Sequence, residues 1–203
     1  MQADKNEITG LYFQKKNKPR IEDVIPFIVD EAKQHIALNL TAWLRENKMS
    51  PAWSGVHNAW DAKCKGKTIC KISLVPGGSY GSEHTKCSWL VAPYLENIDK
   101  YENTVIEEGL QNFVLDNVIY CAQATDMERP RGAQKIKHYG LPYPCNTWGC
   151  APGKTIKLLG TEIANKCCNT NRRFIWFADP NEVELGAVKR ILQLEQTARK
   201  GLH

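Results

Sequence analysis

Cysteine residues gather in the last third of this chain of 203 residues, and they are its strongest chemical signal. Four residues separate Cys145 from Cys150, and the adjacent pair Cys167 and Cys168 follows after sixteen more. Thiolate sulfur is a preferred ligand of Zn²⁺, and two cysteines in one short loop can supply two corners of its tetrahedron. The pattern therefore predicts a thiolate-bound metal, with zinc as the first choice and iron as the second.

A structural zinc site needs four ligands, and the spacing suggests which residues supply them. The predicted ligands are Cys121, Cys145, Cys150 and Cys167. His138 is an alternative donor, and the sequence does not decide between Cys167 and Cys168. Because the spacing matches no fixed zinc-finger or zinc-ribbon pattern, buried thiols and a regulatory disulfide remain open alternatives.

The other three cysteines, Cys64, Cys70 and Cys87, lie on or beside expected strands, where we expect buried thiols. Eight cysteines in 203 residues is a low density for a disulfide scaffold, and no apolar N-terminal stretch resembles a signal peptide. We therefore expect reduced thiols and a cytoplasmic protein. No apolar run approaches the roughly 18 residues of a membrane span, so no membrane partner is expected.

Catalytic motifs are not evident in the sequence. A thiolate nucleophile needs a neighbouring base, and none of the five histidines stands in a recognised pairing with a cysteine. The segment 149–155 ends in Gly-Lys-Thr like a phosphate loop, but it is one residue short and contains Pro152. We therefore expect a binding protein and not an enzyme, with a thiol-based redox protein or enzyme as an alternative.

Tryptophans indicate a second kind of candidate site, a pocket for a small molecule. Five of the six fall in or beside expected strands and loops: Trp53, Trp60, Trp89, Trp148 and Trp176. Around a concave sheet they could line a pocket for a flat or cationic ligand, with Glu83, Glu96 or Glu102 as an acidic partner. Core packing is the simpler explanation for each tryptophan taken singly.

The formal net charge of +5 arises from 27 basic and 22 acidic residues. Because the basic residues are scattered along the chain, the charge predicts a solvated surface and gives little support for a nucleic-acid partner. The densest basic run, residues 15–20, is expected to be a flexible arm. As an alternative function we consider nucleic-acid or protein-partner binding through Arg129, Arg131, Lys135 and Lys137. The sequence does not indicate an oligomeric state.

Hydrophobic spacing predicts three helices around a sheet. One helix is expected from Pro26 to near Asn47, and a second over residues 101–114. The last follows Asp179 as its cap, with Pro180 in its first position and Glu182 completing a capping box. Strands are expected at 67–75, 86–91, 154–159 and 173–177, the first two as an antiparallel pair. The predicted fold class is therefore α+β, an antiparallel sheet flanked by an N-terminal, a middle and a C-terminal helix.

Length and composition predict a single domain. Residues 1–20 show little periodicity and are expected to form a flexible N-terminal leader. Residues 21–203 are enough for one domain with a substantial core. Its cysteine-bearing loop is expected at about 121–168, because prolines and glycines interrupt every hydrophobic pattern there until residue 154.

One segment resembles a known family. Residues 60–72, WDAKCKGKTICKI, follow a long expected helix and lead into a paired strand. The segment resembles the tryptophan and Lys-Gly-Lys hairpin of small uncharacterised bacterial α+β proteins of the YdhG-like type, over about residues 26–120. The resemblance implies a compact antiparallel sheet flanked by helices, in a group where an intracellular iron-chaperone role has been suggested for some members. The cysteine-bearing last third departs from that pattern, and no binding residue is carried over.

Overall fold

The computed structural model describes residues 5–76, 87–118, 154–166 and 175–201. Its helices are α1 (Lys5–Ile8), α2 (Leu11–Asn17), α3 (Ile21–Ile28), α4 (Glu31–Glu46), α5 (Glu102–Glu107), α6 (Gln111–Leu115) and α7 (Glu182–Lys200), with a 3₁₀ turn at Ile98–Lys100. Its strands are β1 (Pro51–Trp53), β2 (Ala59–Cys64), β3 (Lys67–Leu74), β4 (Trp89–Pro93), β5 (Lys154–Leu158), β6 (Thr161–Lys166) and β7 (Phe177–Ala178). These elements confirm the predicted α+β class.

An antiparallel sheet with the strand order β1-β2-β3-β4-β7 forms the centre of the fold. The β2–β3 hairpin turns through Lys65 and Gly66, whose φ angles of 50° and 78° are those of a tight type I′ turn. Paired positions share a face, so Trp60, Ile72 and Val91 form one continuous row across three strands. All five residues of β4 are buried, which shows that both faces of the sheet are covered at that strand.

The core lies between this sheet and the two long helices. Trp60, Trp89 and Phe177 are fully buried in it. From the helices, Leu40 and Leu44 of α4 and Val188, Ile191 and Leu192 of α7 join the same cluster. Helices α4 and α7 also contact each other, and α7 contacts β3. Burial of these large side chains contributes about 1.5–3 kcal/mol each to folding, so this cluster dominates the stability of the fold.

The N-terminal helical region is divided where the sequence predicts one helix. Helix α3 begins at Ile21 and contains Pro26, and the chain becomes extended at Val29 before α4 begins. Pro26 therefore does not start a helix; it is an interior residue whose missing N–H leaves one helical hydrogen bond unmade. The break lets Val24, Ile25 and Val29 all reach the core. The predicted end near Asn47 is confirmed, because α4 ends at Glu46.

The first twenty residues are expected to be a flexible leader, yet the described part of them is largely helical. The side chain of Gln14 on α2 is fully buried. Its Nε2 donates to Asn58 Oδ1 at 2.5 Å, and its Oε1 accepts from Asn58 N at 2.8 Å. Phe13 packs against the core, whereas Leu11 and Tyr12 are exposed. A buried amide with both of its ends bonded holds α2 on the domain, and this anchor has no hydrophobic signature in the sequence.

Two further helix boundaries differ from the expectation. The middle helix is split into α5 and α6 at Gly109, whose φ of 70° is outside the helical region. Helix α7 is capped by Asn181 and not by Asp179. Asn181 Oδ1 accepts from Glu184 N at 2.9 Å, and Asn181 N donates to Glu184 Oε2 at 3.0 Å. The capping box is thus present two residues later than predicted, because the Asp179 side chain has other partners.

Strands β5 and β6 form a separate two-stranded hairpin. Strand β5 confirms the strand predicted at 154–159, whereas β6 is not foreseen from the sequence. The turn of the hairpin packs on the middle helices: Gln111 Nε2 donates to Leu159 O at 2.8 Å, and Gly160 N donates to Glu102 Oε1 at 2.5 Å. Leu158, Leu159 and Ile163 are buried in the main core. The turn is therefore fixed to the domain, and the open end of the hairpin is where β5 begins and β6 ends.

Candidate functional site

The predicted zinc ligands cannot be located by this structure. Cys121, Cys145, Cys150 and Cys167 all lie outside the described residues, as do Cys168 and His138. The basic residues of the alternative binding function lie outside as well: Arg129, Arg131, Lys135 and Lys137. Within the described ranges, no three side chains of the types His, Cys, Asp and Glu come together in a group that could hold a metal ion.

The three cysteines that the structure does describe are free and buried, which confirms the expectation for Cys64, Cys70 and Cys87. Burial, and then the negative charge of Asp61, raises the pKa of the Cys70 thiol. Burial, and then the charge of Asp179, raises the pKa of Cys87 to about 12, although Lys33 acts in the opposite direction. Both thiols are therefore protonated at neutral pH and are poor nucleophiles and poor metal ligands.

A densely hydrogen-bonded carboxylate in the described part of the chain belongs to Asp179, between β7 and α7. Its oxygens accept from Ser88 N at 2.9 and 3.1 Å, from Ser88 Oγ at 2.9 Å and from Trp89 N at 3.1 Å. Lys33 Nζ of α4 donates to Asp179 Oδ2 at 2.6 Å. The backbone is also constrained, because Asp179 has a φ of 41° and its N–H donates to Trp89 O. This residue joins β4, α4 and the start of α7.

The contacts of Asp179 with Lys33 and Ser88 stabilise the fold and do not activate a nucleophile. The hydrogen bond to Asp179 raises the pKa of Lys33, although burial acts in the opposite direction, so the Lys33 ammonium stays charged. A charged lysine cannot serve as the base that would activate Ser88. The hydroxyl of Ser88 already donates to a carboxylate whose oxygens are occupied by backbone donors. We therefore assign the cluster to stability and not to catalysis.

A second buried polar cluster surrounds Glu195 of α7, which is fully buried. Its oxygens accept from Asn97 N and Nδ2, from Tyr101 Oη at 2.8 Å and from Arg199 Nε at 2.8 Å. Arg199 in turn donates to the carbonyl oxygens of Thr68 and Tyr94. Burial, followed by the charge of Glu195, raises the pKa of Tyr101. Every member of this cluster has its partners, so it is a structural network that ties α7 to the sheet.

The tryptophans of the proposed pocket are mostly core residues. Trp60 and Trp89 are fully buried, and Trp60 Nε1 donates to Pro19 O at 2.9 Å. Trp53 and Trp176 are half-buried, and Trp148 lies outside the described residues. Of the acidic residues considered with them, Glu102 accepts from Gly160 N, Glu96 is exposed and Glu83 lies outside the described part. Trp60 and Trp89 fill the core, so neither lines an open pocket.

Helices in the described part of the chain lack the length and apolar character that a membrane crossing needs. Comparison of the chain with protein-family models, with curated proteins and with solved structures finds no match. The chain's own residues are therefore the basis for assigning a function.

Proposed function

We propose that this protein is a non-catalytic binding protein whose cysteine-bearing segment holds one Zn²⁺ through Cys121, Cys145, Cys150 and Cys167. The observation that supports this most directly is the register of the β5–β6 hairpin. Lys154, the first residue of β5, pairs with Lys166, the last residue of β6. Cys150 precedes Lys154 by four residues, and Cys167 follows Lys166 directly. The antiparallel pairing thus tethers two predicted ligands to the same end of one hairpin.

Chain geometry sets an upper limit on the distance between Cys150 and Cys167. Paired Cα atoms in an antiparallel ladder are about 5 Å apart, and each further residue spans at most about 3.6 Å. The Cα atoms of Cys150 and Cys167 are therefore at most about 24 Å apart, although sixteen residues separate them in the chain. Without the hairpin the limit would be about 60 Å. A metal that needs both thiolates would therefore have less conformational entropy to overcome than it would without the hairpin.

A second pairing supports the inclusion of Cys121. Val118 forms an isolated antiparallel bridge with Ile175. Paired Cα atoms in such a bridge are about 5 Å apart. Cys121 lies three residues after Val118, and Cys167 lies eight residues before Ile175. Both cysteines are therefore tethered to one point of the domain by short lengths of chain, which favours ligands from both segments in one site.

The same contacts favour a structural role for the metal. The hairpin turn is already fixed to α5 and α6, and a metal at the open end would fix the other end of the same hairpin. Cys70 and Cys87 are unsuited to act as thiolate nucleophiles, because burial raises their pKa values. The proposal includes reduced thiols and a cytoplasmic location, because a thiolate site requires unoxidised cysteines.

Metal analysis of the purified full chain tests this proposal. We expect about one zinc and no stoichiometric iron per chain by mass spectrometry when no chelator is used. Cys145→Ser and Cys150→Ser should each lose the zinc, and Cys64→Ala, a buried cysteine outside the proposed site, is the matched control that should retain it. A chain that contains no zinc, or a Cys145→Ser variant that retains it, would contradict the proposal.

Thiol titration separates the remaining alternatives. In denaturant with chelator and without reductant, eight titratable thiols are expected if no disulfide forms. Six thiols would instead indicate one disulfide and would contradict both the thiolate site and the cytoplasmic location. In the folded protein, the zinc ligands should become reactive when chelator is added, while the buried thiols stay protected.

A further inference from the structure

The fold gathers five lysines at one end of the sheet, three from one hairpin and two from distant parts of the chain. We call this surface the lysine end; its members are Lys48, Lys63, Lys65, Lys67 and Lys200. All five side chains are exposed. None of them lies within ion-pair distance of a carboxylate in the described part of the chain. We propose that the lysine end binds the phosphate backbone of double-stranded nucleic acid without reading its sequence.

The β2–β3 hairpin provides the centre of this surface. Lys63, Lys65 and Lys67 alternate through its tip, which is kept narrow by the register of Cys64 opposite Lys67. Lys65 and Gly66 both have positive φ angles, so the turn is a tight two-residue turn. Three positive charges within five residues thus lie on a short and well-defined hairpin. A flexible arm with the same charges would lose conformational entropy on binding, and the hairpin avoids most of that cost.

Two helices deliver the other lysines to the same end. Arg199 Nη1 donates to Thr68 O at 3.0 Å, which holds the last turn of α7, and with it Lys200, beside the hairpin. Gln196 Nε2 donates to Asn47 O at 2.8 Å, which holds the end of α4 beside α7. Lys48 follows Asn47 directly. These contacts join residues that are 131 and 149 positions apart in the chain.

The positive charge of this end exceeds what its surroundings neutralise. Two helix C-termini, those of α4 and α7, meet there and contribute about one negative charge together. The exposed acids of the adjoining segments are Glu46, Glu96 and Asp99, and Lys100 is an additional exposed cation among them. Six lysines against three acids and two helix ends leave an excess of about two positive charges. This excess of positive charge attracts the negatively charged phosphate backbone of a nucleic acid, whereas a surface that only contacts solvent does not require it.

The chemistry of the surface selects duplex nucleic acid among polyanions. The exposed large apolar side chains of the described residues are Leu11, Tyr12, Val56, Ile106 and Val183, and none belongs to the segments that form the lysine end. An anionic membrane would need such side chains for insertion beyond the headgroups. Single strands are usually bound by exposed aromatic rings, but Tyr94 and Tyr101 of the neighbouring segment are buried. Duplex DNA requires only cations, since it carries one charge per about 1.7 Å of its axis.

Fluorescence anisotropy of the full chain with a labelled 20-base-pair DNA duplex tests the proposal. If all five lysines contact phosphates, the slope of log K against log salt should be about −4.5, which is roughly a 500-fold loss of affinity from 50 to 200 mM KCl. In the triple variant Lys63→Gln/Lys65→Gln/Lys67→Gln the slope should fall to about −1.8, a loss of roughly 12-fold over the same range. Unchanged thermal midpoints would show that the variant is folded.

A matched control removes the same charge elsewhere. Lys15, Lys16 and Lys18 are exposed on the N-terminal segment, and Lys18, like Lys65, has a positive φ. Lys15→Gln/Lys16→Gln/Lys18→Gln should bind the duplex with the slope of the unaltered protein. The proposal is overturned if the hairpin variant binds as the unaltered protein does, or if only the N-terminal variant loses binding. Binding to vesicles with 30% anionic lipid but not to the duplex would also overturn it.

Discussion

Replacing Asp179 by alanine should destabilise the protein more than its small change in buried area suggests. The carboxylate accepts from the backbone N–H groups of Ser88 and Trp89, and both of these residues are buried. In Asp179→Ala these two donors lose the acceptor that they have inside the protein. The ammonium of Lys33 also loses its closest partner, which lies at 2.6 Å.

The size of the effect follows from these contacts. A buried donor that is left without an acceptor costs about 1–3 kcal/mol, so two of them cost about 2–6 kcal/mol. Alanine is also less tolerant than aspartate of the positive φ at this position, by up to about 1–2 kcal/mol. The two contributions together predict a loss of about 5 kcal/mol for Asp179→Ala. Asp179→Asn keeps one oxygen for the two backbone donors and should lose only about 1–2 kcal/mol.

Urea unfolding measures these differences. The midpoints of Asp179→Ala and Asp179→Asn would be compared with that of Asp30→Asn, whose carboxylate also lies near Lys33, at 3.5 Å, but is mostly exposed. That control should change the free energy of unfolding by less than about 0.5 kcal/mol. Asp179→Gly separates the backbone contribution, because glycine adopts the positive φ without strain. If Asp179→Ala is no less stable than Asp30→Asn, the reasoning from unpaired buried donors is wrong for this site.

Two further predictions concern buried or partly buried charges. Glu195→Ala should lower the free energy of unfolding by about 3–5 kcal/mol, because it leaves the buried Arg199 without its carboxylate. Urea unfolding should show that adding Arg199→Met recovers part of that loss. A double variant less stable than the single one would contradict this reasoning. Burial raises the pKa of Glu22, but the hydrogen bond from Arg45, a backbone hydrogen bond and the charges of Arg45 and Arg20 together outweigh it, so the folded pKa lies below the ordinary value of 4.5. The stabilising contribution of Glu22 is therefore present above about pH 4.5 and is lost as the pH falls through the lower folded pKa. The stability difference between the unaltered protein and Glu22→Gln should shrink below pH 4.5 in a series of unfolding curves, and a difference independent of pH from 6 to 3 would contradict this.

The parts of the fold that depend on local pattern were predictable from the sequence. Alternation over residues 67–75 predicts β3, and helical spacing predicts the end of α4 at Asn47, because both features depend only on near neighbours. The cap of α7 shows the limit of such reasoning. Asp179 and Asn181 are equally good capping residues in the sequence Asp-Pro-Asn. Only the partners of Asp179, which lie 91 positions earlier at Ser88, decide between them.

The candidate sites were predictable only in part, for a similar reason. Burial of Cys64, Cys70 and Cys87 follows from their place in apolar strand patterns, and the structure confirms it. The zinc ligands remain a prediction, since they lie outside the described residues. The joining of Lys48 and Lys200 to the three hairpin lysines was not predictable, because hydrogen bonds between distant parts of the chain bring them together. The same is true of Gln14, whose partner Asn58 lies 44 positions away.

The two outer strands of the sheet have a consequence for self-association. In the described part of the chain, β1 and β7 end the strand order, with three residues and two residues respectively. A second chain can extend a sheet only by pairing with unpaired backbone groups at its edge, and strands of this length offer few of them. The first residue of β1 is Pro51, which has no N–H to offer. The longer strands β2, β3 and β4 lie between these short ones, which pair with the middle of β2 and of β4 and so reduce the edge that a second chain could extend.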